Sequence, residues 1–112
     1  MPIANIIIHP DLQEATSTAS AVVDRWCAHA RIAAEHVTIN VVCTDAQAGT
    51  RYEAMAFVYL PTLWPEPRIN DIQRGLLRAI SETWRIDPSA VHIVTTMVQS
   101  GHVASGDRIE TW

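Results

Sequence analysis

The feature that most constrains the fold is an internal repeat, in which a helical segment leads into a strand twice. Arg31-Ile32 and Val37-Thr38-Ile39 correspond to Arg85-Ile86 and Val91-His92-Ile93 at a constant offset of 54 residues. Each copy follows an apolar stripe of helical period and enters a β-branched run. The repeat therefore predicts two β-α-β units, whose strands are parallel within each unit because such crossovers are right-handed.

The first unit begins at the N-terminus. The run Ile3–Ile8 is β-branched and predicts a strand. Apolar residues then recur every three or four positions from Leu12 to Ala30, which predicts a helix over about 11–30. Alternating apolar residues in Val37–Cys43 predict the second strand.

The second unit repeats this order. The segment Ala54–Leu60 is apolar at nearly every position and predicts a strand in the centre of the sheet. Three prolines in 61–67 predict an irregular loop. A helix capped by Asn70 or Asp71 should follow, with its apolar stripe running from Ile72 to Trp84.

The chain then ends in a fourth strand and a short extension. Val91–Met97 predicts the strand, and two glycines within 101–112 predict a small terminal hairpin.

These elements predict one α/β domain (α+β by some conventions) covering 1–112, with pseudo-repeats of about 1–43 and 54–98 and an extension of 99–112. The two β-α-β repeats would form a four-stranded mixed sheet with two helices on one face. The other face would lack a cover although the strands are apolar on both sides. With 48% hydrophobic residues, we expect packing between subunits to bury that face.

Charge and composition exclude several classes of protein. The net charge is −4 and all eight basic residues are arginine, so we expect no nucleic-acid partner. The apolar runs are too short to cross a bilayer and no signal segment is present, so we expect a cytoplasmic protein without a membrane partner. The cysteines and histidines lack ligand spacing, so we expect no metal and no cofactor.

The start Met1-Pro2-Ile3, the two β-α-β units and the string from Gln73 to Ile93 together resemble the tautomerase superfamily, whose members begin with proline after the initiator methionine. That string, with its Arg85-Ile86-Asp87-Pro88 segment, is most similar to the macrophage migration inhibitory factor-like branch. A possible link to the cis-3-chloroacrylic acid dehalogenase branch rests on His29. The resemblance implies a tautomerase-like fold, a homotrimer with pockets between subunits, and a small carboxylate substrate.

Pro2 is the predicted catalytic residue. Once Met1 is removed, its nitrogen is a secondary amine, and a reference α-amino pKa is about 7.7–8.0. Burial disfavours the ammonium and lowers the pKa further, which gives a neutral base near physiological pH. If Met1 is retained, the nitrogen is an amide and has no such role.

The substrate-binding residues are predicted around this nitrogen. A planar guanidinium suits a carboxylate, and the candidates are Arg31, Arg68 and Arg108. His92 falls where the inhibitory-factor branch has a pocket tyrosine, and it could hydrogen-bond a carbonyl. His29 lies close to a helix histidine of the dehalogenase branch, and Trp112 could form an apolar wall of the pocket.

The leading functional hypothesis is a cofactor-free isomerase or tautomerase of a small 2-keto or 2-hydroxydienoate acid, with Pro2 as acid and base. One alternative is a hydratase or dehalogenase of an unsaturated or halogenated acrylate that uses protonated Pro2. Another is a non-catalytic trimeric binding module that retains Met1. A ferredoxin-like dimer without proline chemistry is the remaining alternative.

Overall fold

The computed structural model describes all residues from Met1 to Trp112. It has a four-stranded mixed sheet with two α-helices on one face, as predicted. The elements are β1 (Ile3–Ile8), α1 (Ala19–Ala30), β2 (Thr38–Cys43), β3 (Ala54–Pro61), α2 (Glu66–Trp84) and β4 (Val91–Val98), followed by the hairpin β5 (Val103–Ser105) and β6 (Arg108–Glu110).

The sheet order is β2-β1-β3-β4, so the first strand of each unit lies in the centre. Strands β1 and β2 are parallel, as are β3 and β4, whereas β1 and β3 are antiparallel. Ile3 lies between Thr38 on one side and Tyr59 on the other. This register places the start of β1 beside the start of β2 and the end of β3.

The core lies between the sheet and the two helices. Alternate residues of β1 and β3 are buried against the helix layer, where they meet the stripes of α1 and α2. Trp26 is fully buried, and its indole N–H donates to the carbonyl of Ile72 at 3.0 Å. This bond ties α1 to α2 through the core.

No helix covers the second face of the sheet. Met55 and Phe57 on this face are half-buried, and Val42 and Val94 are 56% and 42% exposed. In the middle of it the Asn40 side-chain amide donates to the Asn5 side-chain oxygen at 2.9 Å. We call this surface the open sheet face.

The repeated Arg-Ile segments adopt the same conformation in both halves. Arg31 and Arg85 each follow a helix and each have a left-handed backbone with φ of 55°. Their N–H groups bond to the carbonyls of Cys27 and Ser81, which are themselves 54 residues apart. Each arginine is followed by a short 3-10 turn that leads into a strand.

The first predicted helix is wrong in its N-terminal half. Residues Pro10–Thr18 form a 3-10 helix, interrupted at Leu12, and the α-helix begins only at Ala19. The hydroxyls of Thr16, Ser17 and Thr18 donate to the carbonyls three residues earlier, at 2.7–3.0 Å. Such local bonds compete with regular helical ones, so a run of three hydroxyl residues disfavours the α-helix.

The second predicted helix begins too late. The α-helix starts at Glu66, with Pro65 as its N-cap, so Asn70 and Asp71 lie inside it and do not cap it. Pro67 lies in the first turn, where a missing N–H costs no helical bond. The predicted loop is therefore shorter, and β3 also extends one residue further, to Pro61.

Candidate active site

The candidate site lies at the end of the sheet where β1 begins. Pro2 is fully buried there, and its carbonyl accepts a hydrogen bond from the Thr38 N–H at 3.1 Å. This bond extends the β1–β2 pairing to the residue before the strand. Proline also fixes its own φ, so the Pro2 nitrogen is held rigidly.

A cavity of about 190 Å³ lies beside the N-terminal residues. Its lining comes from Met1, the segment after β3 and the C-terminal residues: Met1, Pro61, Leu63, Glu110, Thr111 and Trp112. Because Met1 is bonded to the Pro2 nitrogen, its removal would open that nitrogen to the cavity.

Trp112 lines this cavity. Its indole N–H donates to the Thr62 hydroxyl at 3.1 Å, and its backbone N–H donates to the Ser100 hydroxyl at 2.7 Å. These two bonds hold the C-terminus against the ends of β3 and β4. They make Trp112 a wall of the cavity.

The cavity lining includes one acidic side chain. Glu110 is the only charged side chain among the lining residues, and the Ser105 hydroxyl donates to it at 3.2 Å. No arginine lines the cavity within one chain. Nothing in the sequence pattern singled out Glu110, because its position depends on the path of the terminal hairpin.

Arg68 is engaged elsewhere. Its guanidinium donates to the carbonyl of Ala30 and, at 2.9 Å, to that of Arg31. The last carbonyls of a helix have no partner within it and carry a partial negative charge. Arg68 therefore caps the C-terminus of α1.

Arg31 and His29 lie together, away from the cavity. The Arg31 side chain is 81% exposed, and its guanidinium is 3.9 Å from the Asp71 carboxylate. His29 contacts the Glu82 carboxylate at 2.5 Å, and this hydrogen bond holds the pKa of Glu82 below its usual value.

His92 lies at the opposite end of the sheet from Pro2. It is the second residue of β4, opposite Met55, on the open sheet face. Its ring stacks on Tyr52 with centroids 4.7 Å apart and an angle of 28° between the planes. One chain alone does not bring His92 to Pro2, and no sequence pattern indicated Tyr52 as its neighbour.

The structure contains no group of three or more His, Cys, Asp or Glu side chains that could hold a metal ion. None of its helices combines the length and apolar character needed to cross a membrane. Burial raises the pKa of the Cys27 thiol, and nearby Asp24 adds to the shift, so this thiol is a poor nucleophile.

Comparison with known proteins gives matches among solved structures only. No protein-family model and no curated protein matches the chain. A fused 4-OT described as a symmetric trimer matches with a TM-score of 0.78 and 16% identity, over 97% of this chain and 95% of that one. A member of the cis-3-chloroacrylic acid dehalogenase family matches with a TM-score of 0.74 and 9% identity, over 97% and 83%.

Macrophage migration inhibitory factor from Toxoplasma gondii matches with a TM-score of 0.59 and 15% identity, over 96% of this chain and 99% of that one. These similarities define the class of fold. The chain has the tautomerase superfamily fold, which confirms the fold implied by the sequence resemblance.

Proposed function

We propose that this protein is a member of the tautomerase superfamily and a cofactor-free isomerase of a small 2-keto or 2-hydroxydienoate acid. The observation that carries the proposal is the position of Pro2. Pro2 lies directly before a central strand, its carbonyl accepts a hydrogen bond from the Thr38 N–H, and its nitrogen adjoins the cavity through Met1. Removal of Met1 converts this nitrogen from an amide to a secondary amine.

The amine would act as base and then as acid. The neutral Pro2 nitrogen takes the proton from the enol oxygen, which leaves an enolate and an ammonium. The ammonium then gives the proton to carbon, which forms the keto acid and restores the neutral amine. The burial of Pro2 in the chain that carries Met1 favours this cycle, because apolar surroundings disfavour the ammonium, lower the pKa and leave the nitrogen unprotonated near neutral pH.

A homotrimer would complete the site. The open sheet face is apolar and half-buried in one chain, and packing of neighbouring subunits would cover it. His92 lies on this face, so a neighbour could carry it to the Pro2 cavity, where it would bind the substrate carbonyl. Arg68 caps α1 and Arg31 pairs with Asp71, which leaves Arg108, exposed in the terminal hairpin, as the predicted arginine free to bind the substrate carboxylate.

The test is ketonisation of phenylenolpyruvate or 2-hydroxymuconate, followed by ultraviolet absorbance. The protein must first be shown by intact mass to begin at Pro2. Replacing Pro2→Ala should lower kcat/KM by about 10²–10⁴-fold, the usual contribution of a general base. Pro88→Ala, a proline before β4 at the other end of the sheet, is the matched control and should keep full activity. Equal activity in the Pro2→Ala and native proteins would overturn the proposal.

The Glu110 carboxylate favours a second candidate, a hydratase or dehalogenase of an unsaturated or halogenated acrylate. A carboxylate beside an amine stabilises the ammonium, and this chemistry needs protonated Pro2. A decarboxylase of the same fold is described as inhibited by 3-bromopropiolate. Covalent labelling of Pro2 by that compound, lost in Glu110→Gln, would support this candidate, and inertness would count against it.

A protein that retains Met1 cannot use Pro2 in either way. Intact mass of protein made at low expression decides this directly. If Met1 is retained, the remaining alternative is a non-catalytic trimeric binding module.

A further inference from the structure

A second groove, distinct from the Pro2 cavity, lies where the end of α1 meets α2. It has a volume of about 270 Å³ and contains no apolar side chain. We call it the arginine groove. Its lining residues are His29, Arg31, Asp71, Arg74, Gly75 and Arg78. Three guanidiniums and an imidazole thus face one carboxylate, in a chain whose net charge is −4.

Two of these cations have no fixed partner. Arg31 pairs with Asp71 at 3.9 Å and His29 pairs with Glu82 at 2.5 Å. Arg74 and Arg78 make no hydrogen bond and no ion pair within 4.0 Å, although Arg78 is close enough to Glu82 to lower its pKa. Arg74 and Arg78 are four residues apart on α2, where like charges repel each other and destabilise a helix, and an anion bound between them would relieve that repulsion.

The end of α1 does not require these cations either. A helix C-terminus attracts positive charge, but Arg68 already donates to the carbonyls of Ala30 and Arg31. The charges of Arg74 and Arg78 are therefore additional to the cap.

Gly75 makes the groove possible. A Cβ at this position would lie 3.2 Å from the Ala30 Cβ and backbone nitrogen and 3.3 Å from the His29 Cβ. Because Gly75 has no side chain, α1 and α2 approach closely, and the cations of both helices meet around one concave surface.

We propose that the arginine groove binds a small multivalent oxyanion of the phosphate ester or diphosphate class. Guanidinium forks match phosphate oxygens with paired hydrogen bonds. The volume is about nine times the ~30 Å³ that a water molecule occupies in the liquid, so it admits a diphosphate group. The groove shares no lining residue with the Pro2 cavity, so the bound anion is a second ligand.

The experiment is isothermal titration of the full chain with sodium pyrophosphate, at constant ionic strength set with chloride. We expect saturable binding at one site per chain. The double variant Arg74→Gln/Arg78→Gln should weaken binding at least about tenfold, because each lost guanidinium removes charge-assisted hydrogen bonds. Arg85→Gln, which removes an exposed arginine at the C-terminal end of α2, is the control and should bind as the native protein does.

A further variant tests whether removing negative charge from the groove strengthens pyrophosphate binding. Asp71→Asn removes the only carboxylate of the groove and frees Arg31, so it should tighten binding by about two- to fivefold. Circular dichroism of each variant checks that the fold is retained. Absence of saturable binding, or equal affinity in the native protein and the double variant, would overturn the proposal. Weaker binding in Asp71→Asn would contradict the assigned role of the groove.

Discussion

Replacing Arg68→Gln separates two roles that this residue could have. In the structure its guanidinium caps α1 through the carbonyls of Ala30 and Arg31, whereas the sequence alone predicted a substrate-binding role. If the cap is its role, the substitution should lower stability and leave catalysis unchanged. If it binds the substrate carboxylate, the substitution should raise KM and leave stability nearly unchanged.

The size of the stability effect follows from the two bonds. A hydrogen bond involving a charged group contributes about 1.5–3 kcal/mol, and a cation at a helix C-terminus about 0.3–1 kcal/mol. Arg68 is only half-buried, so solvent screening reduces both, and we take about 2 kcal/mol for the whole contact. With an unfolding entropy of ~2.1 cal/mol/K per residue over 112 residues, this corresponds to a Tm lower by about 8 °C.

Thermal unfolding by circular dichroism, at one fixed protein concentration because subunit association shifts Tm, measures the first effect. Steady-state kinetics on the substrate found for the native protein measures the second. We expect kcat/KM to change by less than about twofold, since no step of the reaction involves the α1 cap. An unchanged Tm together with a KM raised tenfold or more would refute the cap and restore Arg68 to the substrate site.

Three further predictions concern packing, pH and assembly. Gly75→Ala should destabilise the protein by about 1–2 kcal/mol in urea unfolding, because the crowding against Ala30 outweighs the gain of ~1 kcal/mol in helix propensity; a more stable variant would show that α1 moves freely. Asp87 has its pKa lowered by hydrogen bonds from the Ser89 N–H and hydroxyl, so its contribution to stability is present above pH ~4 and lost as the pH falls through the lower folded-state pKa. The Tm difference between native protein and Asp87→Ala should therefore shrink from pH 6 to pH 3, and a constant difference would argue against this cap. Phe57→Arg places a charge at the centre of the open sheet face, so light scattering should show monomers where the proposed homotrimer is expected for the native protein. An unchanged mass would mean that subunits do not associate through this face.

The order of elements could be predicted because it depends on local pattern. The repeated Arg-Ile segment marks two left-handed helix ends, at Arg31 and Arg85, and the β-branched runs on either side define the strands. The α-helix boundaries were less predictable. The apolar period continues through 12–18, but the hydroxyls of that segment donate to nearby backbone carbonyls. These bonds compete with the regular α-helical hydrogen bonds, and the spacing of apolar residues does not indicate such competition.

The site could be predicted only in part, because it depends on contacts between distant segments. Pro2 is recognisable from its position next to Met1. Arg68 has its role because the end of α1 lies beside it, and Glu110 because the terminal hairpin carries it to the cavity. Neither arrangement can be predicted from the residues adjacent in sequence. His92 lies at the other end of the sheet in one chain, and its proposed place at the site depends on a neighbouring subunit.

The antiparallel pairing of β1 with β3 has a consequence for the history of such a chain. It relates the two β-α-β halves by an approximate twofold axis perpendicular to the sheet, so two separate half-length chains with identical roles could form the same sheet. When the two halves form one chain, their first strands are no longer equivalent. The start of β3 at Ala54 lies inside the chain, where every nitrogen is an amide, whereas the start of β1 can carry a terminal amine. Chemistry that needs such an amine is confined to one half, and the other half is free to diverge toward a different task.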